Sequence, residues 1–269
     1  MIISQETHKD RPNFTYDLAS VDRNTKAIAI NDKTINLSCL PEFQFEKVWL
    51  ICLNQKTFEN VISQISPVYV SIYGCKVKDL SSLETLTKVE TIIKDWNTKA
   101  VDFWDFRKNL KLQTLYIANM TKVTSLEKLS WATSLKKLKI TGGFNFTWKF
   151  TSLKPLETLT KLTWLTLANV NVVDKSLQPL SNLINLKTLE LTNQFPTAEF
   201  AKLSTQLKNT MCDKFHPYTE VEFLGVDGKL QYDVMITGSR KPFLNSQRDA
   251  EKIATYVQKF NTMVATFEK

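Results

Sequence analysis

Apolar residues recur along the middle of the chain in six-residue units of the form L-x-x-L-x-L, in which other apolar residues replace some of the leucines. Seven units begin at Phe45, Pro67, Val89, Leu112, Leu135, Leu162 and Leu186. Their starts lie 22, 22, 23, 23, 27 and 24 residues apart, and Ile28 and Ile30 indicate a shortened further copy that begins near Thr25. Because positions 4 and 6 share one face of a strand, each unit predicts a short strand that buries this face by stacking on its copies.

A second apolar pattern follows each unit, with leucines three residues apart. Leu153, Leu156 and Leu159 show it most clearly, and Leu83 with Leu86 shows it earlier in the chain. This spacing predicts a short 3-10 or irregular helical turn that returns the chain to the start of the next strand. Stacked in this way, the turns bury one continuous core, and stability becomes a sum of contacts between neighbouring repeats.

With these two patterns the chain resembles the leucine-rich-repeat family, and specifically its short-repeat class, which includes the bacterial internalins. The resemblance covers roughly residues 25–210. It implies an α/β fold, a curved solenoid with a parallel β-sheet on the concave side and 3-10, irregular or short helical turns on the convex side. In this family the architecture commonly serves protein recognition, so a binding function is implied by analogy of fold.

Two features depart from the family pattern. The family usually has Asn or Cys at position 9; Cys75 and Asn97 fit, whereas Asn119 and Asn169 stand one position early. The bends between strand and turn are therefore expected to differ from the consensus. Lys94 occupies an inward position, where an unpaired charge is costly. We expect a bulge or a local change of register at this strand.

Both ends of the chain lie outside the repeat. Residues 1–24 are polar and irregular, which predicts a flexible or capping lead before the seven or eight repeats of residues 25–210. Residues 211–269 predict a β-hairpin that turns at Asp227 and Gly228, followed by a helix that opens near Ser246. We expect this helix to cap the solenoid; the alternative is a detachable helix that binds a partner.

Composition narrows the chemistry. The 269 residues carry a net charge of +8, with two His, four Cys and six Gly. Two His argue against a multi-histidine metal site or catalytic centre, and no glycine-rich phosphate loop is present. The cysteines have neither a C-x-x-C pair nor a regular ligand spacing. We therefore expect no cofactor and no metal.

The location of the protein is predicted from segments that the sequence lacks. It does not open with a basic stretch followed by an apolar run, as a secretion signal would. Its longest apolar run, residues 48–53, is far shorter than the ~20 residues that cross a bilayer. We expect a cytoplasmic protein with reduced thiols and no membrane partner; a mature secreted form, with its signal removed, remains the alternative.

Catalysis has one candidate pair, Cys212 with His216. A cysteine nucleophile needs an activating base, but the four-residue spacing carries no orienting motif and is more simply accidental. The residues after Cys212 are too few for a separate catalytic domain. We expect no catalytic residue and a protein that is not an enzyme.

Residues at positions 3, 5 and 7 of each repeat are predicted to face solvent on the concave side. Large apolar, aromatic and basic side chains are frequent there. The candidate partner-binding residues are Trp49, Tyr69, Tyr73, Ile93, Tyr116, Lys137, Lys139 and Trp164. Aromatic side chains are typical anchors of interfaces, whereas lysines contribute steering and specificity.

The fifth repeat is longer than its neighbours and carries an aromatic insertion. Phe144, Phe146 and Trp148 lie within it. One interpretation is that these rings fold back over the edge of the solenoid, since large exposed apolar patches are rare on monomers. The other is a loop that contacts a partner beside the concave face.

The positive charge is concentrated in one segment. Residues 107–161 contain eleven Lys and Arg but only two acids. The pattern favours a partner with an acidic or mixed surface. We predict a non-enzymatic module that recognises a protein through its concave face and this basic patch. The alternatives are an immunity or inhibitor protein that neutralises a toxic enzyme, and a nucleic-acid binder. Ten of the eleven basic residues are Lys, which argues against nucleic acid.

Overall fold

The structure is a computed structural model that describes residues 10–143 and 147–268. The repeat units form strands that stack in chain order. The strands of this region are β1 (Ala27–Asn31), β2 (Lys47–Ile51), β3 (Tyr69–Tyr73), β4 (Thr91–Asp95), β5 (Thr114–Ala118), β6 (Lys137–Thr141), β7 (Trp148–Phe150), β8 (Trp164–Ala168), β9 (Val170–Val172) and β10 (Thr188–Leu191). Among the described residues, β7 pairs only with β9, and the other eight strands form one parallel sheet.

The register of the sheet places equivalent repeat positions side by side. Val48 pairs with Val70, and Val70 with Ile92, so the inward residues of successive units form continuous columns. A residue shifted by one position would point to the opposite face, so this apolar column fixes the register. The predicted strands and their in-phase stacking are confirmed.

The convex side returns the chain through short helical turns. Helix α1 (Gln55–Ile62) fills this place in one repeat. The 3-10 helices of the other turns are Leu37–Glu42, Ser81–Thr85, Phe106–Lys108, Glu127–Trp131, Lys154–Thr158 and Gln178–Asn182. Their leucines, such as Leu83, Leu129 and Leu156, are fully buried against the inward face of the sheet. The predicted leucine-rich-repeat solenoid, with a parallel sheet on one side and mainly 3-10 turns on the other, is confirmed.

The bends explain why asparagines stand one position early. The residue directly after a strand adopts the left-handed backbone conformation at Cys52, Gly74, Trp96, Asn119 and Asn169, with φ between 51° and 65°. Gly and Asn tolerate this conformation better than other residues. The left-handed bend that recurs in these repeats therefore falls at position 8.

We expect Gly74→Ala to lower the free energy of unfolding by about 1–2 kcal/mol, because an L side chain is strained at positive φ. A Cβ atom at this position would also lie 3.0 Å from Cys52 Sγ, tighter than an ordinary contact. Urea denaturation measures the change. The double variant with Cys52→Ala separates the two causes, since only the thiol contact is relieved; an unchanged Gly74→Ala midpoint would contradict the bend assignment.

The predicted bulge at Lys94 is wrong. Strand β4 pairs without interruption on both sides, with Ile72 opposite Lys94 and Lys94 opposite Ile117. The lysine is 0% exposed, and its Nζ donates to the carbonyl of Cys75 at 3.5 Å. Burial lowers the pKa of Lys94 to about 8, opposed by the nearby Cys75 and Asp95. The sheet keeps its register because a shift by one residue would expose a whole column of apolar side chains. That exposure would destabilise the fold more than the burial of one amine does.

The lead of the chain adjoins the first strand. Thr15 N–H donates to the carbonyl of Ala29, and Phe14 forms a parallel bridge with Ala29. Leu18 is fully buried in the core. Residues 14–18 therefore cover the open edge of β1, as the physics of an edge strand requires. Residues 1–9 of the predicted lead lie outside the described residues.

The carboxyl-terminal hairpin and helix are confirmed. Helix α2 (Thr197–Gln206) follows β10, and the hairpin consists of β11 (Tyr218–Leu224) and β12 (Leu230–Ile236). A short strand, β13 (Phe243–Leu244), extends this second sheet. Helix α3 (Ala250–Phe267) packs against α2, and its Phe260 is buried. Asp249, and not Ser246, is the N-cap of α3, since the Ser246 hydroxyl donates to Asp233.

Candidate functional site

The outward residues of the sheet form columns as regular as the inward ones. Within each strand, alternation places the third, fifth and seventh positions of the repeat on the side opposite the leucine core. The central column runs through Trp49, Ser71, Ile93, Tyr116, Lys139, Thr166 and Glu190. All eight predicted concave residues lie on this sheet, and the structure brings most of them into two groups.

The first group lines a pocket of about 300 Å³ on strands β2 to β6. The indole of Trp49 packs on the ring of Tyr69, with 5.2 Å between ring centroids. Ile93 and Tyr116 line the same pocket. The charged residues around it are Lys47, Lys137 and Asp10. The pocket thus combines apolar and aromatic walls with two lysines.

Two members of this group are not exposed as predicted. Trp49 is 1% exposed and Ile93 is 4% exposed, although both side chains stand on the outward face. Nε1 of Trp49 is buried without a hydrogen-bond acceptor among the described residues, and a buried donor left unpaired is costly. The expected solvent exposure of these two side chains is therefore wrong. Their role in binding a partner remains a prediction.

The second group is an aromatic cluster around a lysine, formed by Tyr116, Lys139 and Trp164, and is called the aromatic–lysine cluster below. The rings of Tyr116 and Trp164 meet edge to face, with centroids 5.6 Å apart. Lys139 Nζ lies 5.6 Å from the Tyr116 centroid and 5.9 Å from the Trp164 centroid. At these distances the ammonium group is attracted electrostatically to the faces of both rings. Lys137, directly opposite Trp164 in the register, is exposed.

Tyr73 lies at one margin of the concave face and leads to an aromatic residue that the sequence pattern missed. Its ring meets that of Trp96 edge to face at 5.8 Å, and Lys76 Nζ lies 5.6 Å from the Trp96 centroid. The pKa of Tyr73 is raised, mainly because burial disfavours the phenolate and to a smaller extent because Asp95 is negatively charged. The strand pattern places Trp96 at position 8, in the bend after the strand, and therefore not on the concave face. A large aromatic residue in a bend was the one sign in the sequence that Trp96 could belong to the candidate site.

For Trp148 the structure supports the first of the two interpretations of the aromatic insertion, in which the rings pack on the solenoid, and not the contact loop. Trp148 is 1% exposed, and its Nε1 donates to the carbonyl of Val123 at 2.6 Å. Its ring packs on Phe150 at 4.9 Å and on Phe103 at 6.5 Å between centroids. It belongs to strand β7, so the side chain fills the core where the longer repeat pairs with β9. Phe144 and Phe146, predicted for the same loop, lie outside the described residues.

The basic segment is divided between faces. Lys137 and Lys139 are its only members on strands of the large sheet. On the convex side, ion pairs join Arg107 to Asp105 at 2.5 Å, Lys108 to Glu84 at 3.2 Å, and Lys128 to Asp102 at 2.8 Å. The side chain of Arg107 holds the pKa of Asp105 at about 2. The charge available to a concave-face partner is therefore much smaller than the segment total.

Cys212 and His216 line a second cavity, of about 550 Å³, beside helices α2 and α3. Burial raises the pKa of the Cys212 thiol to about 11, so the thiol stays protonated at neutral pH. A protonated thiol is a poor nucleophile. That the chain has no catalytic residue remains a prediction.

Within residues 10–143 and 147–268, no helix is both long and apolar enough to cross a bilayer. In the same ranges, no three or more His, Cys, Asp or Glu side chains lie close enough together to hold a metal ion.

No family model matches the chain, and no curated protein matches it either. Among solved structures it is similar to the internalin InlF of Listeria monocytogenes, at 16% identity and a TM-score of 0.46, over 69% of this chain and 65% of that one. It is similar to internalin C2 of the same species, at 17% identity and a TM-score of 0.38, over 66% and 80%. A leucine-rich-repeat protein of Leptospira interrogans matches at 14% identity and a TM-score of 0.41, over 83% and 71%. The chain thus spans just under two thirds of the first of these.

Proposed function

We propose that this chain is a non-enzymatic module that recognises a protein through the concave face of its sheet. The observation that carries the proposal is the aromatic–lysine cluster. Tyr116 and Trp164 are half-buried on a sheet face that contributes nothing to the leucine core. A monomer gains little by collecting two such rings outside its core, whereas interfaces favour them because they bury large areas with few rotatable bonds.

The partner is proposed to present an acidic or mixed surface to this face. Lys47 and Lys137 are exposed at the pocket, and Lys139 is already held between two rings. Lysines at the rim of an interface accelerate the encounter with acidic surfaces and disfavour basic ones. The aromatic rings then supply most of the affinity.

Capture of the partner from cells tests this proposal. Immobilised wild-type chain should retain a protein that the double variant Tyr116→Ala/Trp164→Ala does not retain. Trp131→Ala is the matched control, because Trp131 is an exposed tryptophan on a convex 3-10 helix. Equal capture by the double variant and the wild type would refute the concave-face assignment. If the captured protein is an enzyme, an assay of its activity with and without the chain tests the inhibitor alternative.

A further inference from the structure

A third cavity, of about 490 Å³, lies at the carboxyl ends of strands β2 to β4. The segments that follow these strands form its walls, so it opens at the edge of the sheet and not on the concave face. Its charged lining residues are Lys76, Lys78 and Lys99, all of them exposed, and no carboxylate of a described residue lines it. This cavity is called the lysine pocket below.

The three pocket lysines differ from other basic residues of the chain in their lack of acidic neighbours. Among residues 10–143 and 147–268, none of the three forms an ion pair with a carboxylate. Asp79 follows Lys78 directly, but its carboxylate accepts the backbone N–H of Ser81 at 2.8 Å. A cleft lined by charges of one sign concentrates the field and attracts ions of the opposite sign. The lysine pocket is therefore suited to an anion.

The loop that carries Lys76 and Lys78 is held in place by the side chain of Gln55. Its Oε1 accepts the backbone N–H groups of Lys78 and Asp79, at 2.8 and 3.1 Å. Its Nε2 donates to the carbonyl of Asp79 at 2.8 Å. Because Gln55 belongs to helix α1, three hydrogen bonds join this loop to the helix of the preceding repeat.

The side chain of Asn97 joins this loop to the one that carries Lys99. Asn97 is fully buried, and its Nδ2 donates to the carbonyl of Val77 at 2.9 Å. Val77 stands between Lys76 and Lys78 in the sequence. Oδ1 of Asn97 accepts the backbone N–H of Lys99 at 2.9 Å. The two loops are thus fixed relative to each other without a ligand, which lowers the entropy cost of binding one.

We propose that the lysine pocket binds a phosphate monoester. Such a group carries a charge of about −1.5 to −2 at neutral pH on three acceptor oxygens, so each of the three ammonium groups can meet one oxygen. A single carboxylate offers only two oxygens and one charge. Lysine binds phosphate as a compact point charge, whereas bidentate recognition of a carboxylate favours arginine, which this pocket lacks.

The size of the pocket leaves room for the group that carries the phosphate. Sites for small ligands usually measure about 300–1,000 Å³, and the lysine pocket lies within this range. The phosphate can belong to a phosphorylated side chain of another protein or to a free phosphate, and both present the same oxygens to the lysines. The inference goes beyond the proposed function, because this site lies outside the concave face.

Fluorescence anisotropy tests the proposal with the full chain and a fluorescein-labelled, glycine-rich peptide that contains one phosphoserine. The triple variant Lys76→Gln/Lys78→Gln/Lys99→Gln should raise the Kd of this peptide at least tenfold, because three charge-assisted contacts are lost. The same peptide with unmodified serine should bind the wild type at least tenfold more weakly than the phosphopeptide. Circular dichroism checks that the variant is folded.

A second triple variant, Lys136→Gln/Lys161→Gln/Lys187→Gln, is the matched control. These three lysines are exposed and lie just before strands β6, β8 and β10, at the opposite edge of the sheet. The variant removes the same total charge, so it should change Kd by less than about twofold if binding depends on the pocket and not on net charge alone.

Two further measurements locate the ligand and identify its source. Cys52 is an exposed cysteine that lines the pocket, so bound phosphopeptide should slow its modification by a maleimide at least threefold. Unlabelled phosphopeptide and inorganic phosphate then compete with the labelled peptide at equal concentrations. Similar displacement by both indicates that a free phosphate suffices, whereas displacement by the peptide alone indicates a phosphorylated side chain.

Three results would overturn the proposal: no binding of the phosphopeptide up to about 1 mM, which is the range of very weak ligands; equal binding of the two peptides; or equal Kd values for the two triple variants. The assay needs no protein partner and leaves Tyr116 and Trp164 unchanged. A negative result therefore removes the phosphate site and leaves the proposed recognition through the concave face to its own test.

Discussion

Trp148→Ala is expected to lower the free energy of unfolding by about 3–5 kcal/mol, the range for removing a buried aromatic side chain. The indole packs on Phe103 and Phe150 and leaves no exposed surface for a partner. The loss also leaves the buried carbonyl of Val123 without its donor, which adds to the cost. We therefore expect the packing of the longer fifth repeat against its neighbours to depend on Trp148.

Urea denaturation followed by circular dichroism measures this loss. Trp131→Ala is the control, because Trp131 is 40% exposed and its ring contacts the guanidinium of Arg107 on the surface. Its change in unfolding free energy should stay within about 1 kcal/mol. A Trp148→Ala protein with native stability and lost partner binding would restore the contact-loop interpretation.

Lys94→Met is expected to raise the free energy of unfolding at neutral pH by about 1–4 kcal/mol, because a buried charge is replaced by an apolar side chain of similar length. Lys94 is fully buried and makes one long hydrogen bond, to the Cys75 carbonyl. It stands in a column whose neighbours, Ile72 and Ile117, are both apolar. A methionine fills the same place in this apolar column without burying an uncompensated charge.

The gain should depend on pH in a defined direction. Below pH 8 the amine is protonated in both the folded and the unfolded chain, so folding carries its full desolvation cost. Between pH 8 and 10.5 the folded chain loses this proton while the unfolded chain keeps it, and the cost fades as the pH rises. The advantage of Lys94→Met is therefore greatest below pH 8 and smallest above pH 10.5, where only the cost of burying a neutral amine is left.

Comparison of the two proteins at each pH isolates this effect. The thiol of Cys75, whose pKa burial raises to about 11, lowers the unfolding free energy of both proteins as the pH rises from 9 to 11. The difference between variant and wild type, measured by urea denaturation, removes most of this shared contribution. A difference that stays constant or grows from pH 7 to 10 would contradict the burial of a titrating amine.

The periodicity of the sequence was sufficient to predict the solenoid, because the same two leucine spacings recur in every repeat. Local pattern could not predict how Lys94 is accommodated. The register of β4 is decided by the neighbouring strands on both sides, and their combined apolar columns outweigh one buried amine. The only sign of the left-handed bends in the sequence was that asparagines such as Asn119 and Asn169 stand one position earlier than in the family pattern.

The candidate site was predicted only in outline. Alternation along each strand correctly assigned the outward face, but it could not show that Trp49 is buried there, since burial depends on what lies over the sheet. It also could not foresee that Lys139 lies between two rings contributed by different repeats. For Trp148 the sequence left both interpretations open, because a contact loop rich in aromatic residues and a buried strand have the same composition.

The most direct measurement of the central claim is the dissociation constant of the captured partner for Trp164→Ala, obtained by isothermal titration calorimetry with the fold checked by circular dichroism. Loss of an aromatic anchor is expected to raise Kd at least tenfold, which corresponds to about 1.4 kcal/mol. Trp131→Ala, on the convex side, should change Kd by less than about twofold, as expected for a residue outside the interface. A Trp164→Ala protein that binds as tightly as the wild type, with Trp131→Ala weakened instead, would contradict recognition through the concave face.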